Sequence, residues 1–193
     1  MKDLLVEMEV YAELNSVPIM QKEGIEFMCN FIREHNIKSI LEIGSAIGYS
    51  AIQMALVDEN IHVTTIERDE PRYLEALKNI KATNLEDRID IIFGDALETV
   101  VDGSYDLLFI DAAKAQYIRF FDRYTPFLKQ NGYVITDNLD FHGLVAHPEK
   151  TKNKNTKDLV RKISRFRQYL SEREDYDTTF YTFGDGVAIS KKL

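Results

Sequence analysis

Short runs of β-branched residues alternate with helical stretches from Lys38 onward, and this alternation constrains the fold more than any other feature of the sequence. The pattern predicts strands at 39–43, 61–66, 89–93, 105–110 and 133–136, and helices near 48–57, 70–82 and 114–127. Strands that alternate with helices favour right-handed crossovers and a mostly parallel sheet that is covered on both faces. The sequence therefore predicts a doubly wound α/β fold.

The two ends of the chain complete this prediction. Two helices precede the first strand, and a helix near 156–172 is followed by the runs Asp177 to Phe183 and Val187 to Ser190. The turn Gly184-Asp185-Gly186 joins these runs and predicts a β-hairpin. We therefore expect a seven-stranded, mostly parallel sheet that ends in an antiparallel hairpin strand. A chain of 193 residues is long enough for one domain, so we predict a single domain with a helical cap at 1–36 and an α/β core at 37–193.

Cysteine content and hydropathy indicate the compartment. Cys29 is the single cysteine of the chain, which excludes disulfides and cysteine metal clusters within one molecule. No apolar stretch approaches the length that crosses a membrane, and the first residues are acidic instead of forming a basic run before an apolar core. We therefore predict a cytoplasmic protein without a membrane partner.

The charge of the chain is unevenly distributed. The formal net charge of −8 argues against a nucleic-acid partner, yet the segment from Lys150 to Arg167 carries +7 and the remainder −15. The basic residues of this segment are Lys150, Lys152, Lys154, Lys157, Arg161, Lys162, Arg165 and Arg167. They indicate either a nucleic-acid surface or the solvated face of a helix whose buried stripe is Leu159, Ile163, Phe166 and Leu170.

A glycine turn follows the first strand, where ligands bind in doubly wound sheets. Gly44 permits a tight turn and close ligand approach, and the next helix starts with free N–H groups. The turn is neither a P-loop nor a G-x-G-x-x-G motif. Glu67 ends the second strand about twenty residues further on, where an acid accepts hydrogen bonds from a ribose. Asp95 follows the third strand, where it could meet an adenine edge or cap a turn.

Three oxygen-bearing side chains follow the next two strands. Asp111 closes the fourth strand, and Asp137 and Asn138 close the fifth. Two neighbouring buried carboxylates need a cation or a proton, and an oxygen set without Cys or His suits a hard ion such as Mg²⁺. The alternative is that both aspartates are caps of strand-to-helix turns. Lys114 lies over the same strand ends and could act as a base.

These residues resemble those of the cation-dependent O-methyltransferases related to catechol O-methyltransferase, over nearly the whole chain. The cofactor motif of that family is matched by Glu42-Ile43-Gly44 through Gly48-Tyr49-Ser50. The resemblance implies a class I, Rossmann-like methyltransferase fold that binds S-adenosylmethionine (SAM). By resemblance, the cofactor residues are Glu42, Gly44, Ser50, Glu67, Asp95, Ala96 and Asp111; the metal ligands are Asp111, Asp137 and Asn138; and the catalytic lysine is Lys114.

Within that family, the runs Val17 to Gly24, Gly44 to Ser50 and Asp111 to Lys114 are most similar to a bacterial branch that methylates 5-hydroxyuridine at the tRNA wobble base. This resemblance implies tRNA as partner and a homodimer. The candidate RNA-binding residues are Lys150, Lys152, Lys154, Lys157 and Arg161. One alternative acceptor is a small catechol-like phenol, although the segment Leu139 to Asn155 has its own sequence. The other alternative is a nucleotide-binding or NAD-dependent protein without methyltransferase activity.

The predicted mechanism depends on the metal. The ion lowers the pKa of the substrate hydroxyl, and Lys114 accepts the proton. The resulting oxyanion attacks the sulfonium methyl group in line, so that positioning contributes much of the rate.

Overall fold

A computed structural model describes residues 1–182 and 184–193. The chain divides into two compact units, Met1–Val101 and Asp102–Leu193. The single domain with a cap at 1–36 stays a prediction, and each unit is described by itself.

The first unit contains three parallel strands and four helices. In chain order its elements are α1 (Lys2–Leu14), α2 (Lys22–Glu34), β1 (Ser39–Ile43), α3 (Tyr49–Ala55), β2 (His62–Glu67), α4 (Glu70–Ala82) and β3 (Ile89–Phe93). β2 lies between β1 and β3 and pairs with both in parallel. The three strands therefore end at the same edge, where the glycine turn, Glu67 and the Asp95 turn follow them.

Local signals explain these elements. Along β1 every residue from Ile40 to Ile43 is buried, as expected for a strand that is covered on both faces. α4 begins after Asp69, whose carboxylate accepts a hydrogen bond from the Arg72 N–H at 3.1 Å, and Pro71 occupies its first turn. Prediction and structure agree closely for these elements because the signals are local.

The described residues of the second unit form four strands and two helices. Its elements are β4 (Tyr105–Ile110), a 3₁₀ turn (Lys114–Gln116), α5 (Tyr117–Tyr124), a 3₁₀ turn (Thr125–Phe127), β5 (Leu128–Thr136), a 3₁₀ turn (Pro148–Lys150), α6 (Lys154–Ser171), β6 (Tyr176–Tyr181) and β7 (Val187–Lys192). β4 pairs with β5 in parallel, whereas β7 pairs antiparallel with both β5 and β6. The predicted C-terminal hairpin is present; Phe183, the last residue of its first predicted run, lies outside the described residues.

Two boundaries differ from the prediction for steric reasons. The predicted helix 114–127 consists of α5 between two 3₁₀ turns, since Pro126 has no N–H to donate to the carbonyl four residues before it. β5 begins at Leu128 instead of Tyr133, and its polar start pairs with β4 through an irregular register between Tyr105 and Leu107.

α6 packs through one face of the helix. Val160, not Leu159, begins the buried stripe, which continues through the predicted Ile163, Phe166 and Leu170. The Phe166 ring meets the Phe121 and Tyr117 rings of α5 edge-on, so aromatic packing fixes the orientation of the helix. Among the described residues, no helix is both long and apolar enough to cross a membrane.

Candidate active site

Two glycines shape the turn between β1 and α3. Gly44 (φ 97°) and Gly48 (φ 82°) both have left-handed backbone, which glycine adopts without strain. The Gly44 N–H donates to the Ile66 carbonyl at 2.9 Å, so the turn starts against the end of β2. Gly48 also lies against α4, since an added Cβ would meet the Ala76 Cβ at 3.4 Å. The turn is therefore tight and close to neighbouring backbone.

Glu42 stabilises the turn from the buried side. Its side chain is fully buried, and its two carboxylate oxygens accept hydrogen bonds from the Ser50 and Thr65 hydroxyls. These bonds connect β1, β2 and the start of α3 at a buried carboxyl group. The structure thus places Glu42 where it orients Ser50, and direct contact of Glu42 with a cofactor stays a prediction.

Glu67 closes the far side of the same turn. Its side chain is buried, and one carboxylate oxygen accepts the Ala46 N–H at 2.8 Å. The other oxygen accepts the N–H groups of Arg68 and Asp69 at 2.9 and 2.8 Å. The carboxylate is therefore fixed in one orientation by backbone, with lone-pair capacity left for a ribose hydroxyl.

One buried hydroxyl in the turn indicates that a ligand fits there. The Ser45 Oγ is buried and has no hydrogen-bond partner in the part of the chain that the structure describes, although buried hydroxyls are nearly always bonded. It lies in the backbone cradle that Gly44 and Gly48 form. Residues of this turn therefore suit a polar ligand such as the methionine or ribose portion of SAM.

The turn after β3 has a structural role in the protein. The Asp95 carboxylate accepts the Leu97 N–H at 2.8 Å and lies 4.0 Å from Arg68. The turn also meets β2, since the Gly94 N–H donates to the Glu67 carbonyl at 2.9 Å. Asp95 thus serves as a turn cap, the alternative role considered above. Ala96 is buried beside it, and adenine contact by either residue stays a prediction.

The three predicted metal ligands lie together in the second unit. Ile110 pairs with Thr136 across β4 and β5, so Asp111 and Asp137 leave the sheet side by side. The Asn138 Nδ2 donates to an Asp111 oxygen at 3.3 Å, and the Asn138 N–H donates to an Asp137 oxygen at 2.8 Å. Asn138 has a left-handed φ of 62°. Asparagine tolerates that conformation better than most residues. In this conformation the side-chain amide faces Asp111 and the backbone N–H faces Asp137.

Electrostatics at these residues favour a cation. Burial, and next the charge of Asp111, raise the pKa of Asp137 to about 7. Burial also raises the pKa of Asp111 above its ordinary value, and the Lys114 charge opposes that rise. Two adjacent carboxylates that both resist ionisation are typical of a site that a positive ion completes. The carboxylate and amide oxygens suit Mg²⁺.

Lys114 lies beside the two aspartates, and its role as a base stays a prediction. It begins the 3₁₀ turn after β4, and its charge lowers the pKa of both aspartates. Its Nζ lies 5.9 Å from the centre of the Phe141 ring. Lys114 therefore borders the carboxylates on one side and an aromatic loop residue on the other.

Sequence reasoning missed Asp185. One of its oxygens accepts the His142 N–H, and the other is buried without a hydrogen-bond partner among residues 1–182 and 184–193. Its charge helps to raise the pKa of Asp137. The Gly184-Asp185-Gly186 turn was interpreted only as a hairpin; its proximity to Asp137 follows from the pairing of Thr136 with Ala188. No local signal in the sequence predicts this proximity, because it arises from the pairing of β5 with β7.

The loop after Asn138 is clamped by this hairpin turn. The Leu139 N–H donates to the Gly186 carbonyl at 2.8 Å, and the Asp140 N–H donates to the Asp185 carbonyl at 2.7 Å. An added Cβ at Gly186 would lie 2.7 Å from the Asp140 nitrogen. Phe141 and His142 both have positive φ, so the loop is held in an unusual conformation at the edge of the aspartate pair.

The basic segment is mostly solvent-exposed. Lys154, Lys157 and Arg161 lie on one face of α6, whereas Arg167 stacks over the Phe180 ring at 4.6 Å. Arg161 forms an ion pair with Asp158 at 3.2 Å. The other exposed basic residues are Lys150, Lys152, Lys162 and Arg165.

No group of three or more His, Cys, Asp or Glu side chains that could hold a metal occurs in residues 1–182 and 184–193. The predicted metal site consists of two aspartates and one asparagine. It falls outside this definition because its third ligand is a side-chain amide. The four histidines of the chain are not part of the donor set.

These features define an α/β protein with a glycine turn after its first strand and a group of adjacent carboxylates after its fourth and fifth strands. The sequence profile of a family described as O-methyltransferase matches residues 1–193. The chain therefore belongs to the O-methyltransferase family.

Similar proteins agree with this assignment. A crystal structure of a Staphylococcus aureus protein, provisionally named a caffeoyl-CoA O-methyltransferase, is 42% identical, covers 98% of this chain and 92% of that one, and has a TM-score of 0.94. A caffeoyl-CoA O-methyltransferase of Populus kitakamiensis is 28% identical and covers 95% of this chain and 81% of its own. A Bacillus cereus O-methyltransferase in complex with SAH (S-adenosylhomocysteine) is 24% identical, covers 99% of this chain and 91% of that one, and has a TM-score of 0.86; it shows likeness of fold.

Several predictions from the sequence are thereby confirmed. The family resemblance, the enzyme class and the α/β fold with seven mostly parallel strands and antiparallel C-terminal strands all hold. The alternative of an NAD-dependent protein without methyltransferase activity was wrong. The roles of individual site residues stay predictions.

Proposed function

We propose that this enzyme transfers a methyl group from SAM to a substrate hydroxyl oxygen with the help of a divalent cation, such as Mg²⁺, in the second unit. The observation that carries the proposal is the adjacency of Asp111, Asp137 and Asn138, in which burial and mutual repulsion raise the pKa of Asp137 to about 7. Such a group of acids is stable at neutral pH when a cation balances it.

The cofactor is assigned to the first unit. We propose that Gly44 and Ser50 contact the methionine portion, that Glu67 binds the ribose and that Ala96 borders the adenine. Two observations support this assignment. The Ser45 Oγ has no hydrogen-bond partner among the described residues, and backbone N–H groups fix the orientation of the Glu67 carboxylate. The SAH in the Bacillus cereus O-methyltransferase is consistent with it. SAM would supply a methyl group on a sulfonium centre.

In the proposed reaction the protein orients the acceptor and removes its proton. A cation bound by Asp111, Asp137 and Asn138 would lower the pKa of the acceptor hydroxyl. Lys114, next to both carboxylates, would accept the proton in its neutral amine form, so that the oxygen attacks as an anion and SAH is the leaving group. The clamped loop places Phe141 beside Lys114, where it would exclude water from one side. Positioning of this kind can contribute about 7–11 kcal/mol to the rate.

We propose 5-hydroxyuridine in tRNA, at the wobble position, as the acceptor. The exposed basic residues Lys150, Lys152, Lys154, Lys157 and Arg161 support this assignment, because phosphate contacts supply most of the affinity for RNA. They lie in the same unit as the aspartate pair. A tRNA substrate also implies a cytoplasmic enzyme, and we further propose that it forms a homodimer.

A small catechol-like phenol is the second candidate acceptor. The specific observation in its favour is that several similar proteins are named caffeoyl-CoA O-methyltransferases. A phenol needs no basic surface, so the two candidates respond differently to loss of charge on α6.

One experiment tests reaction and acceptor together. The protein is incubated with methyl-labelled SAM and Mg²⁺ and offered unmodified tRNA, 5-hydroxyuridine-containing tRNA or a catechol. We expect label in the hydroxyuridine tRNA and none after addition of EDTA. Undiminished transfer in EDTA would refute the role of the metal, and label in the catechol alone would establish the second candidate.

Loss of charge on the basic segment provides a further test of the acceptor. The variant K152Q/K154Q/K157Q should bind tRNA more weakly, and the slope of log K against log salt should fall by about 0.7–0.9 for each phosphate that the variant no longer neutralises. Binding is measured by filter retention at several salt concentrations. The control K2Q/K81Q removes exposed lysines of the first unit. Equal losses of affinity in both variants contradict a specific surface.

A further inference from the structure

A cleft lies between α1, α2 and α3. Hydrogen bonds connect several of the side chains that line it, and these side chains have no role in the proposed reaction. The cleft has a volume of about 660 Å³, and its lining includes Glu9, Lys22, Cys29, Tyr49 and Gln53. The Tyr49 hydroxyl donates to a Glu9 oxygen at 2.7 Å and accepts the Gln53 amide at 3.2 Å. Lys22 lies 3.2 Å from the other Glu9 oxygen. Glu9 therefore connects all three helices.

The bond between Tyr49 and Glu9 has a defined polarity. The hydrogen bond from Tyr49 lowers the pKa of Glu9, while burial and then Glu9 raise the pKa of Tyr49 to about 12. At neutral pH a phenol therefore donates to a carboxylate, and charge-assisted bonds of this type are stronger than neutral ones.

Tyr49 is also the first residue of α3, directly after the glycine turn. Gly48 precedes it with a φ of 82°, and α3 has no side-chain cap at its start. Ser50, the next residue, donates to the buried Glu42. Because glycine permits many backbone conformations, the start of α3 depends on side chains for its position. Glu42 holds it on one side through Ser50, and Glu9 holds it on the other through Tyr49.

We propose that Glu9 is a positioning residue for cofactor binding: through Tyr49 it fixes the start of α3 and hence the conformation of the Gly44 to Ser50 turn. This inference rests on the proposed assignment of that turn to SAM. Helix α1 thus contributes to the cofactor site through the bond between Glu9 and Tyr49.

SAH binding measured by isothermal titration calorimetry tests this role. We expect Glu9→Ala and Tyr49→Phe each to weaken binding by about 3- to 10-fold, and Glu9→Gln, which keeps an acceptor, to restore most of the affinity. The double variant should bind SAH as tightly as the single variant that has the lower affinity, since the two substitutions remove the same hydrogen bond. The matched control is Glu13→Ala, an exposed acid on the same helix, and it should leave affinity unchanged.

Stability separates positioning from mere support of the fold. Each variant is also unfolded in urea, and its far-UV circular dichroism is recorded. Lower stability with unchanged SAH affinity in Glu9→Ala and Tyr49→Phe overturns the proposal. Failure of the wild-type protein to bind SAH overturns the proposed cofactor site instead, so the two failures are distinguishable.

The single cysteine gives a second readout. The Cys29 Sγ lies 3.7 Å from the Gln53 carbonyl, so its alkylation by N-ethylmaleimide reports on the gap between α2 and α3. SAH should slow alkylation in the wild type and have less effect in Glu9→Ala. Equal protection in both proteins, or none in the wild type, contradicts the proposal.

Discussion

At the scale of single residues, Asp137 is expected to lower the stability of the fold while it serves the proposed function. Asp137→Asn removes a carboxylate that is buried beside Asp111, so we expect loss of methyl transfer together with a gain of about 1 kcal/mol in unfolding free energy in EDTA. Urea unfolding and the labelled-SAM assay measure the two effects. Asp177→Asn, at an exposed position, should change neither. A variant that loses both stability and activity would contradict the assigned charge repulsion.

Tyr49 gives a pH dependence that can be isolated. Its raised pKa of about 12 means that the folded protein holds the phenol proton more tightly than the unfolded chain, whose tyrosines titrate near 10. The stabilisation is therefore complete below about pH 10 and is lost as pH rises toward 12, at up to about 1.4 kcal/mol per pH unit. Tyr49→Phe should lose stability less steeply over that range in urea unfolding. Parallel curves would mean that the Tyr49 hydroxyl is not buried.

Single residues also show the limits of prediction from sequence. Asp111, Asp137 and Asn138 could be predicted because each directly follows a strand, a position that local sequence reveals. Asp185 and Glu9 could not, because Asp185 approaches Asp137 through the pairing of β5 with β7, and Glu9 reaches Tyr49 across forty residues. Long-range pairing has no local sequence signature.

At the scale of elements, the start of α3 depends on glycine backbone. Gly48→Ala forces an L-residue into left-handed backbone and brings its Cβ to 3.4 Å from Ala76, so we expect a loss of about 1–2 kcal/mol in unfolding free energy. Gly103→Ala is a matched control, because Gly103 also has positive φ but nothing within 4 Å of the added Cβ. Urea unfolding should show a loss in both, and calorimetry should show weaker SAH binding only in Gly48→Ala. Equal SAH affinities in the two variants would contradict a role of this turn in cofactor binding.

Elements were predicted best where their signals are local. The bounds of β1, β3, β4 and α4 coincide with the prediction, since β-branched runs and the Asp69-Pro71 start are continuous in sequence. β5 was predicted too short because its first residues are polar and include Asn131 with a φ of 60°. That irregular start is a product of pairing with β4.

At the scale of the whole molecule, a bound cation should stabilise the fold by mass action. At Mg²⁺ concentrations about 100 times its Kd the gain is about 2.7 kcal/mol. For a chain of 193 residues that corresponds to a rise in Tm of about 5–10 °C. Differential scanning calorimetry with and without Mg²⁺ measures it, and Asp137→Asn should show little of the rise. An equal rise in the variant would place the ion elsewhere.

The clamp between the loop after Asn138 and the Gly184-Asp185-Gly186 turn links two segments that are far apart in the chain. Their backbones bond directly, and Gly186 leaves no room for a side chain against Asp140. Neither segment can change length or shape alone without breaking those bonds. Grafting the loop of a relative onto this enzyme, to alter what it methylates, would therefore require transplanting the distant turn at the same time.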